Sequence, residues 1–128
     1  METFTVKTSK REEVLDITSQ VEKIVSKTKQ GICLVYIPHA TAALTINENY
    51  DQKVCDDLLD YLRKQIPKGK WKHDIHDGNG DSHIKAGIIG PSVTIPIEKG
   101  KLALGTYQGI MLCEFDGPRI RKIYVQIK

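Results

Sequence analysis

The sequence predicts an antiparallel α+β fold in a single domain spanning residues 1–128, and three observations carry that prediction. The length of 128 residues suits one hydrophobic core. Apolar alternation of period two, the signature of half-buried strands, recurs from the first residues and dominates the C-terminal half in hairpin-like succession. Helical spacing is confined to two principal segments, with no strand–helix–strand rhythm of a doubly wound sheet.

Residues 3–8 alternate polar and apolar as a strand, and a second short strand is expected at 14–17. Ser19 and Glu22 have the spacing of a capping box, and Ile17, Val21, Ile24 and Val25 recur at helical intervals up to Gly31, which predicts a helix of about three turns. Residues 32–37 form a continuous apolar run closed by Pro38, which predicts a strand covered on both faces. A strand at 42–46 leads into a second helix, in which Val54, Leu58, Leu59 and Leu62 share one face before Pro67. Residues 68–82 are rich in Lys, Asp, His and Gly, and read as a long loop of the kind that carries function. A short helix at 82–89, started by a Ser82 cap, precedes strands at 93–97, 102–104, 110–115 and 123–127. Asp116-Gly117-Pro118 supplies turn chemistry for a hairpin between the last two strands.

Composition narrows the function classes. With 19 Lys and Arg against 16 Asp and Glu, the net charge of +3 is mild and interspersed, and predicts no nucleic-acid partner. No apolar run approaches the roughly 18 residues of a membrane span and no secretory leader is read at Met1, so no membrane partner and a cytoplasmic location are expected. Cys33, Cys55 and Cys113 are odd in number and widely spaced, which argues for buried thiols over a disulfide framework or a metal knuckle.

Five places carry candidate chemistry. His39, His73, His76 and His83 fall at element boundaries or in the polar loop, where three imidazoles would suit an open zinc site, or where four loop histidines simply hydrogen-bond. Residues 45–51 concentrate amide and carboxylate oxygens, suiting either magnesium or a helix cap from Asn49 or Asp51, a cap that has no need of Glu48. Gly78-Asn79-Gly80-Asp81-Ser82-His83-Ile84-Lys85 runs a glycine-rich loop into a helix start, either an anion cradle or a plain turn; it lacks the Walker spacing. Glu114 shares a strand face with Ile110 and Leu112, so either that face is solvated or the carboxylate is buried against a partner. Arg119 and Arg121 follow the turn and suit phosphate, although Arg121 also reads as a solvated hairpin end.

The ordered set His39-Ala40-Thr41-Ala42-Ala43-Leu44-Thr45-Ile46-Asn47-Glu48-Asn49-Tyr50-Asp51, His73-Asp74, Ser82-His83-Ile84-Lys85-Ala86 and Gly105-Thr106-Tyr107-Gln108-Gly109-Ile110 with Glu114 resembles the YjbQ family of secondary thiamine-phosphate synthases across nearly the whole chain. The resemblance implies β-sandwich-like antiparallel sheets with two principal helices, a homotrimer, and ligand sites near subunit boundaries. It also implies a weak activity that joins hydroxymethylpyrimidine diphosphate to thiazole phosphate, giving thiamine phosphate and pyrophosphate. His39, His73, His83, Asn47, Glu48, Asp51, Lys85, Gln108 and Glu114 fall on its motif positions, and His76 fits the pattern least.

Joining the two readings gives the expected site. His39, His83, Glu48 and Glu114 are catalytic candidates; Thr41, Asn47, Lys85, Gln108 and Arg119 are expected to bind a phosphorylated small-molecule substrate; His39, His73, His83 and Asp51 are expected to hold a divalent metal, zinc or magnesium. The alternatives are a metal-assisted phosphate-ester hydrolase and a non-catalytic trimer that binds a metal or a phosphorylated metabolite.

Overall fold

The computed structural model describes residues 1–128 as eight strands and three α-helices in one α+β domain. Strands β1 (Glu2–Lys7), β3 (Gln30–Tyr36), β5 (Ser92–Glu98), β6 (Lys101–Leu102) and β8 (Ile120–Ile127) form an antiparallel sheet in the order β1-β8-β3-β5-β6. Strands β2 (Glu13–Asp16), β4 (Ala42–Glu48) and β7 (Gln108–Glu114) form a second antiparallel sheet with β7 in the centre. Helix α1 (Thr18–Val25) packs with both sheets, while α2 (Gln52–Gln65) and α3 (Gly80–Ile89) lie over the small sheet.

Two cores follow from this layering. Between the sheets, Cys33, Val35, Ile95, Ile123 and Val125 of the large sheet meet Leu44, Ile110 and Leu112 of the small one, with Val21 and Val25 from α1. On the far side of the small sheet, Met111, Cys113 and Phe115 pack against Cys55, Leu59 and Leu62 of α2 and Ala86 of α3. A central strand with cores on both sides needs apolar residues at successive positions, which is why residues 109–115 are buried without interruption.

That double coverage belongs to β7 and not to β3. In β3 only Cys33 and Val35 face the core, while Ile32, Leu34 and Tyr36 point outward, Ile32 being 54% exposed. Large-sheet strands have a core on one face only, so the uninterrupted apolar run leaves an apolar outer face.

Other expectations are corrected by tertiary context. Helix α1 starts at Thr18, with the Thr18 N–H donating to Asp16 Oδ1 (2.9 Å), so Ser19 is inside the helix and is not its cap. It ends at Val25, well before Gly31. The long loop contains a 3₁₀ turn at Lys72–Ile75, and α3 begins at Gly80, so Ser82 lies in its first turn and donates to the Phe115 carbonyl (2.6 Å) instead of capping. The Asp116-Gly117-Pro118 turn is no hairpin, because β7 and β8 belong to different sheets. It is a corner between layers, in which a Cβ on Gly117 would stand 2.2 Å from the Lys10 carbonyl oxygen. Turn chemistry is the same for a hairpin and a corner; burial decides, since β8 alternates and β7 does not.

Candidate functional site

Three segments converge beside that corner: the β3–β4 loop with His39 and Thr41, the start of α3 with Asn79 and His83, and the entry to β8 with Arg119 and Arg121. They line an open cleft of about 560 Å³.

Its floor is a buried ion pair. Glu114, on the sandwich face of β7, receives Arg121 Nε at 2.9 and 3.1 Å and also Nη2. Arg121 Nη2 further donates to the Thr41 carbonyl (3.2 Å) and hydroxyl (2.9 Å), which leaves Nη1 for the cleft. Arg121 is 2% exposed, so it is no solvated hairpin end, and Glu114 takes the second of its two readings, a carboxylate buried against a partner. Thr8, at the end of β1, donates to Glu114 Oε1 (2.7 Å) and accepts the Arg119 N–H (2.8 Å), tying both arginines to one strand end.

The rim carries the second arginine. Arg119 donates to the Asp116 carbonyl (2.8 Å) and carboxylate (3.0 Å), and Asn79 Nδ2 donates to the same Asp116 Oδ2 (2.8 Å). Burial pushes the Asp116 pKa up, but the bonds from Asn79 and Arg119 outweigh it and hold the carboxyl below its ordinary value. Since Nδ2 is fixed by Asp116, Asn79 Oδ1 is a buried acceptor with no partner in the chain.

His39 Nε2 accepts the Lys122 N–H at 2.9 Å. Burial, and then the charge of Arg121, lowers its pKa, so the ring is neutral and carries its proton on Nδ1. His39 therefore offers the cleft a donor and has no free lone pair for a metal while that bond is made. His83 lies edge-on to His73 with ring centroids 4.7 Å apart, and His73 Nε2 is 3.5 Å from Asp77 Oδ2. His76 stands outside this pair, 6.0 Å from His73.

The other expected residues lie elsewhere. Asn47 and Glu48 pair with Gly109 and Gln108 at the far end of β4, six residues from the Ala42–Glu114 pair and hence roughly 20 Å along the strand. There Asn47 Oδ1 accepts the Glu48 N–H (2.8 Å), and Gln108 Oε1 accepts the Gly105 N–H (2.8 Å). Asp51 caps α2 by accepting the Lys53 N–H (2.9 Å). The expected metal set of His39, His73, His83 and Asp51 is thus not assembled within one chain, and nowhere do three His, Cys, Asp or Glu side chains converge as metal ligands. The residues of a single chain do not fit the expected ion.

Lys85 is also corrected. It is 1% exposed and pairs with Asp81 (2.9 Å) and Glu12 (2.7 Å), because its i,i+4 spacing from Asp81 turns both inward. It cannot reach a phosphate in the cleft. Nor is the glycine loop an empty cradle: Asp74 Oδ1 accepts the Gly80 N–H (2.8 Å) and Oδ2 the Trp71 N–H (3.0 Å), so the chain's own carboxylate takes the anion position. Those two bonds hold the Asp74 pKa below its ordinary value.

Thr8 and Asp116 are site members that the sequence reading does not single out, Asn79 enters it only as part of the glycine-rich loop, and Arg121 only as a phosphate group or a solvated hairpin end. The burial of Arg121 had one signal, its place two residues from Arg119 on a strand whose alternation points every second side chain to one face.

The same fold recurs in known proteins. The model of the UPF0047 protein YjbQ-like family matches residues 2–128. A UPF0047 protein of Archaeoglobus fulgidus is 50% identical, over 96% of this chain and 97% of its own. YugU of Bacillus subtilis is 42% identical, over 99% and 98%. Among solved structures, a YjbQ/UPF0047 protein of Clostridium acetobutylicum superposes with a TM-score of 0.95 at 47% identity, covering 100% of both chains. A YjbQ-like protein of Sulfolobus solfataricus gives 0.94 at 39% identity, covering 98% of this chain and 94% of its own. With identity of this degree running from end to end and the two-sheet architecture in common, the chain belongs to the YjbQ/UPF0047 family.

Proposed function

We propose that the cleft binds the phosphate group of a small phosphorylated metabolite and that the protein is a transferase of the secondary thiamine-phosphate synthase type. One observation carries this reading: Arg119, Arg121 and the neutral, donating His39 line one open cleft with His83. The arginines are held by Asp116 and Glu114, so donors are in place before a ligand arrives and need no reorganisation.

In the proposed reaction, the thiazole nitrogen lone pair attacks the methylene carbon of hydroxymethylpyrimidine diphosphate. The bond from that carbon to the diphosphate oxygen breaks, and pyrophosphate leaves with the electron pair. Arg121 Nη1, Arg119 and the His39 Nδ1–H are donors for the charge that develops on the leaving group. His83 is the second imidazole lining the cleft, and in this reading it gives a proton to the leaving oxygen.

The test is to incubate the protein with both substrates and measure thiamine phosphate, comparing wild type with His83→Ala. Product from the wild type and a loss of more than about tenfold in the variant is expected. Equal turnover by folded His83→Ala overturns the assignment. A second reading is favoured by the pairing of both cleft carboxylates: a binding protein without turnover, for which calorimetry would show ligand affinity without product.

We further propose a homotrimer working in the cytoplasm. Ile32, Leu34 and Tyr36 form an exposed apolar stripe on the large sheet, with Tyr36 stacked on Tyr124 at 6.4 Å, and such a face suits a second copy. No helix is long and apolar enough to cross a membrane. Light scattering of wild type and Leu34→Glu tests the assembly: a trimer that dissociates on substitution is expected.

A further inference from the structure

Helix α3 brings His83 to the cleft, and its apolar hold on the protein is modest: Ala86 is buried, Ile84 and Ile89 are partly buried against the core of the small sheet, and Ile88 is exposed. Its other buried side chains are polar: Asp81, Ser82 and Lys85. At 100° per residue, Asp81 and Lys85 share one face of the helix and His83 projects from the opposite one. Behind the helix, Arg11 grips Asp81 through Nη2 (3.0 Å) and Nη1 (3.3 Å), and Glu12 receives Lys85 (2.7 Å). Arg63 of α2 donates to the other oxygen of Glu12 (2.7 Å). The partners of its buried charges thus come from the β1–β2 loop, 70 and 73 positions away in sequence, and Glu12 is tied in turn to α2.

A purely apolar contact allows a short helix to slide or rotate at small cost, whereas buried charges tolerate little displacement because an unpaired charge in the interior is strongly disfavoured. The cluster therefore sets the depth and rotation of α3. We infer that Arg11, Glu12, Asp81 and Lys85 are positioning residues for the cleft: they touch no ligand, and hold α3 so that His83 stands against His73 and Asn79 reaches Asp116. The inference rests on the cleft being the binding site proposed above.

The experiment uses the full chain, with Lys85→Met, which keeps the length of the side chain without its charge, and Arg11→Met, whose site is partly exposed and so tolerates substitution if Lys85→Met does not fold. Two readouts are taken on each folded variant: affinity for inorganic pyrophosphate by calorimetry, and the ring proton resonances of His83 and His39 by NMR. Arg11→Met is expected to weaken pyrophosphate binding about tenfold and to shift the His83 resonances, with those of His39, on another element, unchanged. Lys85→Arg is expected to restore affinity towards wild type where Lys85→Met loses it. Folded variants with wild-type affinity and an unmoved His83 overturn the inference. If the wild type itself fails to bind pyrophosphate, the binding reading falls separately, and the His83 resonances still decide whether the cluster positions the helix.

Discussion

Arg121 and Glu114 form a closed pair inside the sandwich: both Glu114 oxygens and two of the three Arg121 nitrogens are used up between them and Thr41. The pair converts a carboxylate that resembled a catalytic group into the support of a cationic one. Removing its charge isolates the arginine. Glu114→Gln is expected to cost about 3 kcal/mol or more in urea unfolding, because a buried guanidinium loses its counter-charge, and to weaken anion binding as Arg121 loses its fixed direction. A loss within about 0.5 kcal/mol would show that the pair is not buried in solution.

Asp51→Ala isolates the capping role. The loss of one cap is expected to lower stability by about 1 kcal/mol while leaving pyrophosphate affinity unchanged. A change in affinity with intact stability would return Asp51 to the ligand site.

His39 gives a pH dependence. Its folded pKa is lowered by burial and by Arg121, so on acidification the unfolded chain takes up the proton first. The contribution to stability is whole above the unfolded value of about 6.5 and is lost as pH falls from there through the folded value. Urea melts at pH 7.5 and 5.5 are expected to show a decline that His39→Gln flattens, since a glutamine oxygen can accept the Lys122 N–H without titrating.

Asp81 acts lower on the scale. Burial pushes its pKa up, but Arg11 and Lys85 outweigh it and hold it below the ordinary value. Its contribution is present above about pH 4 and lost as pH falls through the folded value. Asp81→Asn is expected to lose stability at pH 7 and to show a shallower acid transition than wild type.

Cys33 and Cys113 are fully buried, and burial pushes their thiols up to about 11 and about 12. At pH 8 fewer than about one in a thousand is a thiolate, so alkylation is expected only in urea. Fast labelling of the native protein would show that the core opens.

Period and punctuation determined the elements of this protein and its class: the 3–8 alternation is β1 within one residue, the Asp51-to-Pro67 pattern is α2, and the apolar run at 110–115 is most of β7. These rest on contacts within a few residues, which a linear chain displays. The motif order likewise sufficed to name the family. Tertiary structure alone decided partners. Whether residues 116–118 turn back or cross between sheets, whether the run at 32–37 has one core or two, and whether Lys85 meets a phosphate or Asp81 and Glu12 all depend on groups far apart in the sequence. Thr41 and the Asn47–Glu48 segment look alike in sequence as polar residues of one motif, but they stand at opposite ends of β4, roughly 20 Å apart, so Thr41 lines the cleft and Asn47 and Glu48 do not. A motif shows which residues are chemically able; the elements that carry them decide which of them meet.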